Sequence, residues 1–170
     1  MTLAFFKTFT VYQYAPTSTQ WQTFSQKNIG ISFSIPKEAK TNVFGQTDPK
    51  TTVIRTIIPL NNDQTNNLVF YVTPRADALK EKFQDTAQKT YDGNRDMCPT
   101  SAVLTPIKPI RIGKYEALKY ELRNCEGNFD EFFLTDGKTV FELSLFSQKP
   151  LEESTRSLRE KIIASFSFSQ

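Results

Sequence analysis

The sequence predicts an α+β domain: a mostly antiparallel β-sheet flanked by two helices. Three observations carry that expectation. Several short segments alternate apolar and polar residues with a period of two, and turn residues separate them. Two longer segments place apolar residues at helical spacing instead. The strand segments come in hairpin-linked blocks with the helices inserted between them, the order of an antiparallel sheet and not of a parallel one. At 170 residues the default is one domain with room for a core. Hydrophobic content is 38%, a little low, but 15 Phe and 6 Tyr supply large side chains to bury. Each buried aromatic removes roughly 150–250 Å² from water.

Residues 1–20 read as an N-terminal arm or leader remnant, and the α+β domain is expected over 21–170. Met1–Phe9 holds Leu3-Ala4-Phe5-Phe6, but Lys7 cuts the apolar run, so it reads as neither signal peptide nor anchor. Trp21-Gln22-Thr23-Phe24 is a short strand. Asn28-Ile29-Gly30 turns the chain into Ile31-Ser32-Phe33-Ser34-Ile35, an alternating strand that Pro36 stops. Residues 37–50 read as a loop. Thr51–Ile58 and Leu68–Thr73 are strands around the Asn-rich loop 61–67. In the first, Val53 and Ile57 face one way and Ile54 and Ile58 the other, as in a strand covered on both sides.

Thr73-Pro74 predicts a helix start, with Thr as N-cap and Pro in the first helical position. Ala76, Leu79, Phe83, Ala87 and Tyr91 form its apolar stripe, and Gly93 sits where a C-terminal cap is expected. A loop over 94–108 follows. Ile110-Arg111-Ile112, Gly113-Lys114 and Tyr115–Arg123 form a hairpin, with Leu118, Tyr120 and Leu122 alternating against Ala117, Lys119 and Glu121. Phe129–Leu134 and Val140–Phe146 form another across Thr135-Asp136-Gly137-Lys138, where Asp-Gly points to a type I′ turn with both central residues at positive φ. Pro150 opens a second helix with Leu151, Leu158, Ile162 and Phe166 on one stripe. Phe166-Ser167-Phe168 closes the sheet.

Charge and composition exclude several function classes. The net charge is +3, with 21 basic and 18 acidic residues interspersed, so there is no stripe for nucleic acid. No segment is long and apolar enough to span a bilayer. Histidine is absent, which rules out Ser-His and Cys-His nucleophiles and removes the commonest transition-metal ligand. No Gly-rich phosphate loop occurs. An enzyme would therefore rest on paired carboxylates or a low-pKa lysine. Asp130/Glu131 and Glu152/Glu153 are adjacent pairs, but strand neighbours point to opposite faces and helix neighbours diverge by about 100°. Asp92, Asp96, Glu126, Asp130 and Glu131 are the acids that would have to gather for Ca²⁺, and their spacing matches no calcium loop. No catalytic, cofactor or metal residue is assigned.

The two cysteines, Cys98 and Cys125, leave two states open: buried thiols or one disulfide. Both lie in polar, loop-like contexts and not in apolar runs, which favours a structural disulfide. A disulfide places the protein outside the reducing cytosol.

Three stretches together resemble the PsbP-like family. Trp21-Gln22-Thr23-Phe24 followed by Gly30-Ile31-Ser32-Phe33-Ser34-Ile35-Pro36 is similar to its opening strand, turn and "Gly-x-Ser-Phe-x-x-Pro" strand. Ile112-Gly113-Lys114-Tyr115-Glu116-Ala117 is similar to its middle hairpin, and Leu158–Phe168 to its closing helix and "Ser-Phe-x-Phe" strand. One departure is Lys37-Glu38-Ala39-Lys40, where the family often carries an aromatic after the first Pro. The resemblance implies a Mog/PsbP-like α-β-α sandwich of a generic bacterial kind. Its members include extrinsic proteins of the photosynthetic oxygen-evolving complex, exported or lipid-anchored bacterial proteins, and cytoplasmic adaptors and chaperones. It implies no active site. The metal contacts of some photosynthetic members use histidine, so none is carried over.

The expected function is a non-catalytic accessory module outside the cytoplasm (periplasmic, lumenal or cell-surface) that binds a protein partner, at a photosystem if the source is photosynthetic. The loops 37–50, 61–67 and the one holding Cys98 are its candidate contact regions. Two alternatives stand beside it: a cytoplasmic adaptor or chaperone of the same fold, and a carboxylate-based hydrolase.

Overall fold

The computed structural model describes residues 20–45, 51–60, 66–75 and 82–169. All but Gln20 of the expected arm over 1–20, much of loop 61–67 and the predicted helical positions Ala76 and Leu79 lie outside them. Among the described residues no helix is long and apolar enough to cross a membrane.

The strands are β1 (Trp21–Gln26), β2 (Ile31–Pro36), β3 (Lys40–Phe44), β4 (Val53–Pro59), β5 (Asn67–Arg75), β6 (Val103–Leu104), β7 (Lys108–Ile112), β8 (Tyr115–Arg123), β9 (Asn128–Thr135), β10 (Val140–Ser147) and β11 (Ser167–Phe168). The helices are α1 (Phe83–Met97) and α2 (Arg156–Ala164). An eight-stranded antiparallel sheet runs β3-β4-β5-β10-β9-β8-β6, with β7 also on β8. A three-stranded sheet, β1-β2-β11, packs on one face together with α2; α1 covers the other.

The alternation seen in the sequence is what builds the core. Ile54, Ile58, Leu68, Phe70, Val72, Leu143 and Leu145 are fully buried on the face toward the small sheet. Ile31, Phe33 and Ile35 come down from β2 to meet them, and Leu158, Ile162 and Ile163 from α2. The Phe33 ring stands edge-on to Phe70 at 5.0 Å and lies 5.2 Å from Phe24. On the opposite face Ala87 and Tyr91 of α1 pack against Tyr120, Leu122 and Phe133.

Several expectations are corrected. Thr73-Pro74 belongs to β5 and does not start a helix: Leu68, Phe70, Val72 and Pro74 alternate inward, and Pro74 pairs with Phe141. Pro74 lies past the last residue paired with β4 (Val72 with Ile54), where the strand has one neighbour and a missing N–H is tolerated. The helix passes through Gly93 to Met97; Pro99, which has no N–H to offer, stands just beyond its end. Residues 40–44, read as loop, form edge strand β3, whose inward positions are only Thr41 and Val43. Val103–Leu104 adds a short strand inside the other predicted loop. Pro150 and Leu151 precede the last helix, which begins at Arg156 after a 3₁₀ turn over Glu153–Thr155. Phe166-Ser167-Phe168 joins the small sheet through β2 and does not close the large one.

The β9–β10 turn also differs. Thr135 pairs with Val140, so four residues intervene, and only Gly137 has positive φ, +90°. Asp136 Oδ1 accepts from the backbone N–H groups of Lys138 and Thr139 at 2.8 and 2.7 Å, which does locally what a type I′ backbone would have done.

Phe33→Ala is expected to cost about 3–5 kcal/mol in denaturant unfolding, because it opens a cavity where both sheets meet. Phe44→Ala, on the exposed edge, is expected to stay within about 0.5 kcal/mol of the parent.

Candidate functional site

Asp130 and Glu131 are neighbours on β9, a strand covered on both faces. They point into different layers, as the strand period demands. Asp130 faces the α2 side and is 2% exposed; Glu131 faces the α1 side and is 5% exposed.

Register places Glu121 of β8 directly opposite Asp130. Two carboxylates there repel, so cations must come between them. Arg123, two residues on and therefore on the same face, bonds Glu121 Oε2 at 3.0 Å and Asp130 Oδ1 at 2.5 Å. Arg159 reaches down from α2 to Asp130 Oδ2. Lys119 holds Glu121 Oε1 at 2.7 Å and lies 5.6 Å above the Phe132 ring. Burial works against the charge on Glu121, but the Lys119 hydrogen bond and charge, with Arg123 and Arg159, outweigh it and keep this carboxyl below its usual range.

These groups form one wall of a cleft of about 510 Å³ between α2 and β7–β9. Its floor is apolar, with Ile110, Ile112, Phe132 and Ile163. At its rim stand Arg111 and, on α2, Arg156, which pairs with Glu153 at 2.9 Å and Glu160 at 3.6 Å. The arrangement is a preorganised surface of alternating charge over an apolar base. Its deepest carboxylate is already held by two guanidinium groups.

Glu131 has a different environment. Its Oε1 accepts the Ser144 hydroxyl at 2.9 Å, and its Oε2 is buried without a hydrogen-bond partner. Burial, then the charges of Glu142 and Asp130, push its pKa up to about 8 against the pull of Ser144. Glu142 is itself paired with Arg75 at 2.7 Å. Nearby, burial drives the Tyr120 phenol far upward; its oxygen accepts from Asn94 Nδ2 at 2.8 Å.

Of the remaining acids named from the sequence, Glu126 lines a recess with Glu131 on the α1 side, and the others do not join them. Glu152 and Glu153 are exposed before α2. Asp92 takes Gln88 and Arg95, and Asp96 lies 3.6 Å from Arg95. Asp130 is on the far side of the sheet from Glu131. No group of three or more metal-ligating side chains occurs among the described residues. Cys98 and Cys125 are joined as a disulfide with Cα atoms 5.2 Å apart across a separation of 27 residues. Of the three loops proposed as contact regions, 37–50 is partly β3, most of 61–67 lies outside the described residues, and the Cys98 loop is tied down by the disulfide.

Sequence reasoning missed the Asp130–Arg159 pair and the cleft it anchors. The alternation Lys119-x-Glu121-x-Arg123 carried half of the signal: charged residues on the inward side of a strand need partners. The other half comes from a helix packed across the sheet.

A stability profile reports on Glu131. Unfolded, the carboxyl loses its proton near the ordinary value; folded, it keeps it up to about 8. The folded state therefore binds more protons between those values, and stability falls as pH rises through that window. The loss is expected to be on the order of a few kcal/mol, and absent in Glu131→Gln, as read by urea midpoints from about pH 4 to pH 9.

No family model matches this chain, and no curated protein matches it. Solved structures do. One is the solution structure of cyanobacterial PsbP (CyanoP) from Synechocystis sp. PCC 6803, 15% identical, covering 87% of this chain and 92% of that one at a TM-score of 0.55. Another is a crystal structure of a protein from Bacteroides thetaiotaomicron VPI-5482, 13% identical, covering 87% of this chain but 48% of that one at a TM-score of 0.51. At such identities the likeness is one of architecture: the chain has a PsbP-like α+β fold.

Proposed function

We propose that this chain is a non-catalytic accessory module that works outside the reducing cytosol and binds a protein partner through the cleft between α2 and β7–β9. The observation that carries the reading is the cleft itself: arginines at the rim, an apolar floor, and a deep carboxylate locked by Arg123 and Arg159. Arginine beside apolar surface is the composition of interface hot spots. A carboxylate held by two guanidinium groups is poorly placed to move protons. The Cys98–Cys125 bridge supports the compartment, because such a bond persists where thiols are not kept reduced. The likeness to a cyanobacterial PsbP supports an accessory role. The hydrolase alternative would rest on Glu131 and Glu142, but Glu142 is committed to Arg75.

Alkylation of the native protein without reductant is expected to label no thiol. Two labelled thiols would favour the cytoplasmic adaptor. Reduction is expected to lower stability by roughly 3.5 kcal/mol on the chain-entropy model.

A photo-crosslinking residue at Arg156 is expected to yield a discrete adduct in cells, and one at Lys138, on the β9–β10 turn, none. Reversing the charge at Arg111 and Glu160 together should remove an adduct formed from Arg156 and leave the unfolding midpoint within about 0.5 kcal/mol. An adduct that survives this change would place the partner elsewhere.

A further inference from the structure

A second recess, about 540 Å³, opens on the other side of the sheet, where the end of α1 meets the disulfide. Three carboxylate residues line it, Glu126, Glu131 and Glu142, and among the described residues no cationic one does. The rest of its wall is largely apolar: Phe129 and Phe146, with ring centroids 4.8 Å apart, and the exposed thioether of Met97. Gly127 helps set this wall, since a Cβ there would stand 2.2 Å from Phe146 Cε2. Of the lining residues, the 95%-buried Glu131 keeps one oxygen without a partner.

We infer that this recess binds an organic monocation, an alkylammonium or guanidinium group. The charged head pairs with Glu131, and the alkyl stem lies along Phe129, Phe146 and Met97. Carboxylates of one sign exclude an anion. Aromatic faces attract a cation through their quadrupole and cover an alkyl chain at the same time. A bare divalent ion is a poorer match: Ca²⁺ asks for about six to eight oxygens. Here Glu142 is taken by Arg75 and much of the wall is ring and thioether. The volume also lies within the range of small-ligand sites, roughly 300–1,000 Å³.

The site is linked to pH through Glu131, which pairs with a cation only after releasing its proton to solvent. The groups that face it are Glu142, Ser144 and, through Glu142, Arg75 from the strands on one side, and Tyr120 from β8 on the other. Tyr91 and Asn94 come from α1, and Asp130 is its neighbour in the chain. Of these, the two acids raise its proton affinity and only Ser144 lowers it. Cation binding should therefore tighten as pH rises toward 8 and level off above it.

Calorimetry on the full oxidised chain tests this with n-butylguanidinium, its neutral analogue n-butylurea, N-acetyl-arginine methylamide and Ca²⁺ alone. The expected result is binding of butylguanidinium that is more than about tenfold tighter near pH 9 than near pH 6, with no heat from butylurea. Glu131→Gln, which keeps a neutral side chain of the same shape and should fold, is expected to abolish it. Phe146→Ala should weaken it several-fold. A stronger arginine derivative would assign the cation to a peptide side chain, and a stronger free guanidinium to a small molecule. Equal binding of butylurea, undiminished binding by Glu131→Gln, Ca²⁺ binding in preference to the organic cations, or no binding at all would overturn the inference. The recess lies across the sheet from the α2 cleft, so rim variants test that proposal without touching this one.

Discussion

The structure depends on the middle of its large sheet being covered twice. β9 lies under α1 on one face and, together with β10, under α2 and the small sheet on the other. A strand so placed has no solvent side, and every residue on it must satisfy an interior. Leu134, Leu143 and Leu145 do so by packing. Asp130 and Glu131 cannot, and what surrounds them follows from the need to accommodate two adjacent carboxyl groups in opposite interiors.

The two are handled by different physics. Asp130 keeps company with charges: Arg123 from its own face of the sheet and Arg159 from the helix above. Removing either partner would leave a charge stranded in a poorly solvated place, so helix, sheet and register are locked together by this contact. Glu131 has no guanidinium on it. It meets a hydroxyl and a second acid, and holds its proton instead. One strand thus presents an ion-paired surface to one layer and a buried, titratable carboxyl lining a recess to the other.

The disulfide acts at the edge of that second layer. Asn124 and Glu126 both take left-handed backbone, φ +61° and +51°, on either side of Cys125. Such conformations are uncommon outside glycine and persist where surrounding structure holds them. The bond to Cys98 fixes this turn against the end of α1. It also keeps Glu126, Phe129 and Met97 around one recess, so the bridge shapes a surface as well as restraining the unfolded chain.

Much of the fold was legible because burial leaves a periodic trace. Period-two runs at Ile31–Ile35, Tyr115–Arg123 and Val140–Phe146 marked strands, and Leu158 with Ile162 marked the last helix. The errors fall where local preference and tertiary demand conflict. Thr73-Pro74 has the chemistry of a helix start, yet pairing with β10 claims it for a strand. Lys40–Phe44 has too few inward apolar residues to show as a strand, and becomes one because β4 offers an open edge.

By itself, the chain's order of residues determined the fold class, the opposite facing of Asp130 and Glu131, and the absence of imidazole chemistry, since these follow from side-chain type and strand period alone. Only the tertiary structure decided that Arg159 meets Asp130, that Glu131 stands beside Glu142, and that the cleft and the recess open on opposite faces of the large sheet. Those pairings join residues far apart in the chain, and no local pattern encodes the packing of a helix across a sheet.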